Sequence, residues 1–475
     1  MPQENNIGRL LVNVRIERGY IPVPNARVVI QSMDGSMELL TYMTDSSGQT
    51  PEIELTTPPL AYSESPEEPR PYSEYIITVD ADGYETSVVE GTEILPGELS
   101  IQAVMMQTLK TDTKQTHSTS SVGYAPANPE HSQPFSDAGV TDIEQLNPAV
   151  DITVIPSRQI SPSSDDSVFQ NQPVPSADSV IIIPEHTLYG DYPAKIPEAE
   201  VKPVPESGEI VLSRVVIPEY VIVHDGLPTD SSAPDYWVCY TDYIKNVASS
   251  EIYATWEDST ILANILVIMS FTLNRVYTEY YRSRGYDFTI TSSTAYDQKF
   301  VYGRNIYENI SYLVDQVFNN YLARPGVTQP IFTSYCDGQR ATCSGLSQWG
   351  SKYLGDEGYS AIEIIRYYYG SDMYIATAEQ ISGVPASYPG YDLTIGSTGD
   401  KVRQLQQQLN RISQNYPAIP QLNADGIYGS LTAESVRAFQ KIFSIPQTGV
   451  ADFPTWYAIS RIYVAVSRIS EPGAY

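Results

Sequence analysis

Residues 10–16 (Leu-Leu-Val-Asn-Val-Arg-Ile) alternate between apolar and polar side chains. That two-residue period belongs to a strand with one buried face. Apolar runs at 26–30, 75–79 and 101–106 follow, with Asp34-Gly35, Ser46-Ser47-Gly48 and Asp82-Gly83 as turn signals between them. Short strands at this spacing predict a small β-sandwich over 8–108. Residues 109–180 are rich in Ser, Thr, Pro, Asp and Gln and poor in aromatics, apart from a short apolar run at 152–155. Such a composition buries too little surface to offset chain entropy, which predicts a flexible acidic linker. Residues 181–218 are punctuated by proline and read as an extended connector. The period then changes. Helical patterns at 258–284, 305–323 and 359–369, with strand-like pieces at 288–292 and 331–335, predict an α+β domain over 219–384. Over 393–466, Val402, Leu405, Leu409 and Ile412 share one helical face, and Val436, Phe439, Ile442 and Phe443 another. Asp425-Gly426-Ile427-Tyr428-Gly429 is a turn between helices, with Thr432 a candidate cap, and a last helix opens near Trp456.

A chain of 475 residues holds about three domains at roughly 150 residues each. Tyrosine is used 37 times against 10 phenylalanines, which suits sugar-binding clefts and half-buried surfaces alike. The net charge of −29 is uneven: residues 1–218 hold 32 acidic and 11 basic side chains, residues 393–475 hold 5 and 7. The acidic front excludes nucleic acid as a partner, because phosphate binding needs clustered Lys and Arg. The C-terminal segment is the part suited to approach an anionic polymer. The N-terminus lacks a basic segment followed by an apolar core, so no secretory signal is read. The apolar run at 261–273 is broken by Asn264, Ser270 and Thr272. It is shorter than the roughly 20 residues a bilayer requires, so no membrane span is expected.

Candidate chemistry centres on Ser249-Ser250-Glu251-Ile252-Tyr253-Ala254-Thr255-Trp256. Glu251 is a lone carboxylate among small polar and aromatic residues, ahead of a long apolar segment. By residue type it reads either as an ordinary acid before a helix or as a catalytic acid, its pKa raised by neighbours such as Tyr253 and Trp256. No metal is expected. Of four histidines only His224 lies within 219–384. Cys336 and Cys343 lack zinc-knuckle spacing, so a loop disulfide or two free thiols is the preferred reading. Cys239, between Trp237-Val238 and Tyr240, reads as a small packed residue.

Three segments in order resemble the catalytic domain of stage II sporulation protein D, a peptidoglycan lytic transglycosylase. They are Ser250-Glu251 with Trp256 five residues on, Ala295-Tyr296-Asp297-Gln298-Lys299-Phe300-Val301-Tyr302-Gly303, and Leu346-Ser347-Gln348-Trp349-Gly350. The front, through Pro22-Val23-Pro24-Asn25-Ala26-Arg27-Val28 and Thr44-Asp45-Ser46-Ser47-Gly48, resembles prealbumin-like domains. The C-terminal pattern resembles the three-helix peptidoglycan-binding module. The whole arrangement resembles spore cortex-lytic enzymes of the SleC type. There are departures: the family's Arg and His positions are here Met269 and Thr342, with Arg275 a turn and a half beyond the former.

The resemblance implies that Glu251 is the working acid and that no cofactor is needed. It points to Ser250, Tyr253, Trp256, Gln298, Tyr302, Ser347, Gln348 and Trp349 as substrate-binding positions, with Trp349 equally readable as core. Asp297 reads as a turn carboxylate or an electrostatic aid. The partner implied is spore cortex peptidoglycan. The chain would be made in the mother cell without a signal and held as a zymogen. A subtilisin-like germination protease would activate it in the linker, after Gln159. Two alternatives stay open: N-acetylmuramoyl-L-alanine amidase activity, and a non-catalytic cortex-binding protein.

Overall fold

The alternation at 10–16 becomes strand β1 (Ile7–Ile16), with Leu10, Val12 and Val14 wholly buried. The structure is a computed structural model that describes residues 6–16, 20–109, 180–190, 196–201, 214–327, 329–385 and 387–469. Strand β1 pairs antiparallel with β2 (Ile21–Pro22) and β5 (Ile53–Thr56), and parallel with β8 (Leu99–Met105). A second sheet runs β4 (Leu40–Met43), β3 (Arg27–Ser32), β6 (Ser73–Asp80), β7 (Ser87–Ile94), and ends on β9 (Val180–Ile182), parallel to β7. Val28, Ile30, Ile77, Val79 and Val89 of this sheet meet Leu10, Val12, Val14, Ile53 and Leu55 of the first in one core. The N-terminal region is therefore sheet-rich, with two facing layers. Gly91 in β7 has φ +91°, and a Cβ there would lie 2.5 Å from the carbonyl oxygen of Ile183. Only glycine lets the chain beyond β9 lie so close. The residues proposed as linker, Gln159 included, fall outside the described residues except at the ends, 109 and 180.

The central region is built on two helices. Helix α1 (Tyr240–Glu251) buries Tyr240, Tyr243, Ile244, Val247 and Ala248. Helix α2 (Asp258–Tyr277) is buried nearly all round, which explains its continuous apolarity. At 20 residues it is long and apolar enough to cross a membrane by length and composition, contrary to the shorter run expected; 83% of its most apolar window is packed inside the protein. Around these lie β10 (Val216–Ile217), β11 (Tyr220–His224), β12 (Asp235–Cys239) and β13 (Ile290–Thr291), with β11 between β12 and β13. Strand β14 (Ile306–Tyr307) leads into α3 (Glu308–Val317). The helix expected over 305–323 stops there, because residues 320–323 form β15 (Asn320–Ala323). Next come β16 (Tyr335–Cys336), β17 (Leu346–Ser347), α4 (Gln348–Asp356) and α5 (Ala361–Tyr369), the last opened by a capping box of Ser360 and Glu363. Strand β18 (Tyr374–Thr377) pairs with β15, and β19 (Gln380–Ile381) with β10.

The C-terminal region is helical: α6 (Asp400–Ser413), α7 (Ser430–Ile442) and α8 (Phe453–Ile469). Leu405, Leu409, Phe439, Trp456 and Ile459 form its core. Two helical glutamines hold its loops. Gln406 Oε1 accepts from the Gly426 N–H at 2.9 Å, and Gln440 Oε1 from the Gly449 N–H at 2.8 Å.

The three regions share their cores. Tyr72 and Leu95 of the front pack in the central core, and Val301 of the centre packs in the front one. Strand β14 adds to the front sheet, pairing with β8. Beside it Arg304 and Glu93 make an ion pair at 2.5 Å, with side chains 0% and 1% exposed. Burial holds the Glu93 carboxyl up at about 7 despite Arg304, against Glu74 and Arg70 as further neighbours. A raised folded pKa gives stability that is full below the unfolded value near 4.5 and is lost as pH rises through about 7. The buried imidazole of His186, pushed down by burial and Arg304, works in the opposite direction. A comparison with Glu93→Gln isolates the carboxyl. Calorimetry from pH 5 to 8 should show the wild type losing Tm relative to the variant as pH rises. A difference that stays flat would remove Glu93 as a titrating group.

Candidate active site

Glu251 is the last residue of α1; Ile252 turns extended (φ −135°, ψ 151°) and ends the helix. The acid thus sits at a helix C-terminus, seven residues before α2, and not at a helix start. Its carboxyl is 1% exposed. Oε1 accepts the backbone N–H of Lys299 at 2.7 Å, and Oε2 accepts from Gln348 Nε2 at 3.2 Å. Burial, and next the charge of Glu251, push the Tyr335 hydroxyl well above its ordinary value. Burial, followed by the nearby Arg304, pushes the Lys299 ammonium down.

An aromatic wall is formed by residues that follow Glu251 and Gln348 in the chain. The Tyr253 ring is 5.8 Å from Trp256 and 6.1 Å from Trp349, and the two indoles are 5.1 Å apart. Two polar atoms in this cluster are buried without a protein partner: Ser250 Oγ and Gln348 Oε1. Gly350 allows the turn of α4 to pack here, since a Cβ would lie 2.1 Å from the Tyr368 hydroxyl.

Two pieces from outside the central region cover this cluster. From the front, the loop after β5 places Ser63 on it: Trp256 Nε1 donates to Ser63 O at 2.9 Å, and Thr255 and Ser63 hydroxyls are 2.8 Å apart. From the chain after β9, residues 183–190 form a strap. The His186 ring lies tilted against Tyr253 at 4.6 Å, its backbone N–H donates to the Tyr72 hydroxyl at 3.0 Å, and the Thr187 N–H donates to Ser250 O at 3.2 Å. Arg340 donates to the carbonyls of Thr187 and Gly190. Arg340 rides on the loop between β16 and β17, closed by a Cys336–Cys343 disulfide. Of the two readings left open for these cysteines, the bond is the one present. Asp337 organises that loop, its carboxylate accepting the N–H groups of Gln339, Arg340 and Ala341.

Of the residues singled out in the sequence, Glu251, Ser250, Tyr253, Trp256, Gln348 and Trp349 come together. Ser347 lies at the cap of α4, where its Oγ accepts the Gly350 N–H. Gln298 lies behind the acid: it accepts from Tyr243 and Thr272 hydroxyls at 3.0 and 2.7 Å and donates to Ile268 O at 3.0 Å. Tyr302 lies apart, stacked on Tyr236 at 4.7 Å. Asp297 is committed to Arg275 (2.8 Å), to the Tyr281 hydroxyl (2.6 Å) and to Thr291. Arg275 therefore braces the 291–298 loop and does not reach the Met269 position. Cys239 is half-buried beside the Tyr20 hydroxyl, burial pushing its thiol up to about 11. Among the described residues no three His, Cys, Asp or Glu side chains converge as metal ligands. Sequence reasoning missed Tyr335, His186 and the Lys299 N–H. Tyr335 carried a signal in its place before Cys336-Asp337-Gly338, and Lys299 in lying inside the second of the three segments; His186 carried none.

Residues 398–459 match the peptidoglycan binding domain family. The chain therefore carries a C-terminal peptidoglycan-binding domain, spanning α6, α7 and the start of α8. No curated protein matches the chain. One solved structure with some likeness is catechol 1,2-dioxygenase from Acinetobacter sp. ADP1 inhibited by bound mercury. It is 16% identical, with a TM-score of 0.16, over 25% of this chain and 59% of that chain. The match spans less than two thirds of that chain and carries no argument about this one.

The disulfide closes a short loop, worth about 2–3 kcal/mol by chain entropy. Cys343→Ser should lower unfolding free energy by roughly that amount in guanidinium melts, and reductant should bring the wild type to the same value. Equal stability of oxidised and reduced wild type would show that the bond does not brace the Arg340 loop.

Proposed function

We propose that the chain is a lytic transglycosylase of spore cortex peptidoglycan, held as a zymogen, with the C-terminal domain binding the wall. The observation that carries this reading is Glu251: a single buried carboxyl, gripped by Lys299 N–H and Gln348, near Tyr243 and Tyr335, in a chain with a peptidoglycan-binding domain. The resemblance to stage II sporulation protein D and to the SleC type supports the substrate and the spore setting.

A hydrolase needs a second carboxylate as base or nucleophile. Asp297, a carboxylate in the second of the three segments, is taken up by Arg275, Tyr281 and Thr291. One acid suffices for transglycosylation. Glu251 gives its proton to the oxygen leaving with the N-acetylglucosamine as the bond to muramic C1 breaks. The muramic C6 hydroxyl then forms its bond to C1, and its proton passes to the Glu251 carboxylate. No water is consumed and a 1,6-anhydro end results. Ser250 Oγ and Gln348 Oε1, both lacking a protein partner, are placed to bind an acetamide or sugar hydroxyl. The covering by Ser63 and His186 supports the zymogen reading, since a polymer cannot reach Glu251 while both are in place. Amidase activity finds no comparable ligand set in this cluster; a purely binding role is served by the C-terminal domain alone.

Glu251→Gln should lower cortex solubilisation by activated enzyme about 100- to 10,000-fold, the usual scale of general acid–base catalysis. Mass spectrometry of wild-type digests should find anhydromuramic ends. Reducing ends, or freed stem peptides, would replace this mechanism with hydrolysis or amide cleavage.

A further inference from the structure

The front region is joined to the rest by bonds normally found inside a domain. Strand β14 of the central region hydrogen-bonds to β8 of the front sheet, Ile306 opposite Ile101 and Tyr307 opposite Ser100. Just before it, Asn305 brackets Glu93: its Oδ1 accepts the Glu93 N–H at 3.1 Å, and its Nδ2 donates to Glu93 O at 2.9 Å. Gln102 Nε2 donates to Gly303 O at 2.8 Å. The fully buried Arg304–Glu93 pair lies in the same seam. Two further attachments lie elsewhere. Glu64 meets Lys352 of α4 at 2.5 Å, and Gln49 Nε2 donates to Ile442 O at 2.8 Å on the peptidoglycan-binding domain. The front thus grips both other regions.

The strap has the same double anchorage. Val180 and Ile182 pair with Val88 and Glu90 of the front sheet. Two residues on, Arg304 Nη2 donates to Pro184 O at 2.9 Å, and Arg340 holds Thr187. A removed front would strip β8 of β14, leave Arg304 buried without its carboxylate, and expose Tyr72 and Leu95. Separating a buried ion pair is costly because each charge is left desolvated alone.

We propose that the front domain is a retained subunit and not a detachable cover: when the chain is cut between 110 and 179, residues 6–109 stay docked and the strap stays over Glu251. Cutting then gives a two-chain protein that is still closed, and a separate displacement of front and strap opens it. The bearing on activation rests on the function proposed above; the association itself does not, and is read without any glycan.

The test replaces residues 155–160 of the full chain with the recognition sequence of a site-specific protease. After complete cutting, shown on a denaturing gel, native mass spectrometry and size exclusion at micromolar protein should find both pieces in one species. Acrylamide quenching of tryptophan, read in a Trp237→Phe background so that Trp256 and Trp349 under the cover are followed beside the fully buried Trp456, should not change on cutting. Asn305→Ala should release the front piece from cut protein while leaving the circular dichroism of uncut protein unchanged. A wild-type front piece that elutes alone, or quenching that rises several-fold on cutting, overturns the proposal. An Asn305→Ala front piece that stays bound removes the β14 seam as its basis. A retained front with no cortex cleavage under any condition would instead count against the enzymatic reading.

Discussion

The Glu93–Arg304 pair is the constraint on which the arrangement depends. Two opposite charges with almost no exposed side chain are costly to desolvate, and their attraction offsets that cost only in good geometry. Such a pair is a poor source of net stability and a demanding specifier of position. It requires β7 and the 301–305 loop to meet in one register, which Asn305 and β14 then lock. That register sets where Lys299 lies, two residues upstream of Val301, and so where its N–H meets Glu251. Placement of the acid in the centre is tied to a sheet nearly 160 residues earlier in the chain.

The closed cluster divides into chemistry and support. Gln348 Oε1 and Ser250 Oγ keep unfilled hydrogen-bonding capacity beside Glu251. Gln298, Asp297 and Arg275 do not; they tie α2 to the loop that carries Lys299. Residues from one motif thus serve two ends: Asp297 and Gln298 hold the loop from behind while the next residue's amide faces the acid.

Much of the fold was legible because its periods were clean. The front strands alternate, α6 and α7 have single apolar faces, and α2 is apolar throughout. Helix α1 was passed over although Tyr240, Tyr243, Ile244, Val247 and Ala248 stand at helical spacing; Ser249-Ser250 hid its end, and Glu251 was placed before a helix when it closes one. The helix expected to 323 lost its last turn to pairing with β18, a long-range contact that local periodicity cannot register. The acid, Gln348 and the aromatic wall were readable from three short segments. The cover was not: His186 and Ser63 lie far from those segments, in stretches whose patterns signal only strand ends and proline.

One consequence of β9 concerns colloidal behaviour. A sheet edge offers a row of unpaired amides and carbonyls on which another chain can build. Strand β9 occupies the outer side of β7, leaving the short β4 as the other margin of that sheet. When the strap lifts, the long β7 becomes an open edge, with Val88 and the neighbouring Ile183 site uncovered. Uncovering the Tyr253–Trp256–Trp349 cluster and creating a template for self-association are then the same physical event, so exposure of this cluster and loss of colloidal stability are coupled by the topology of a single sheet.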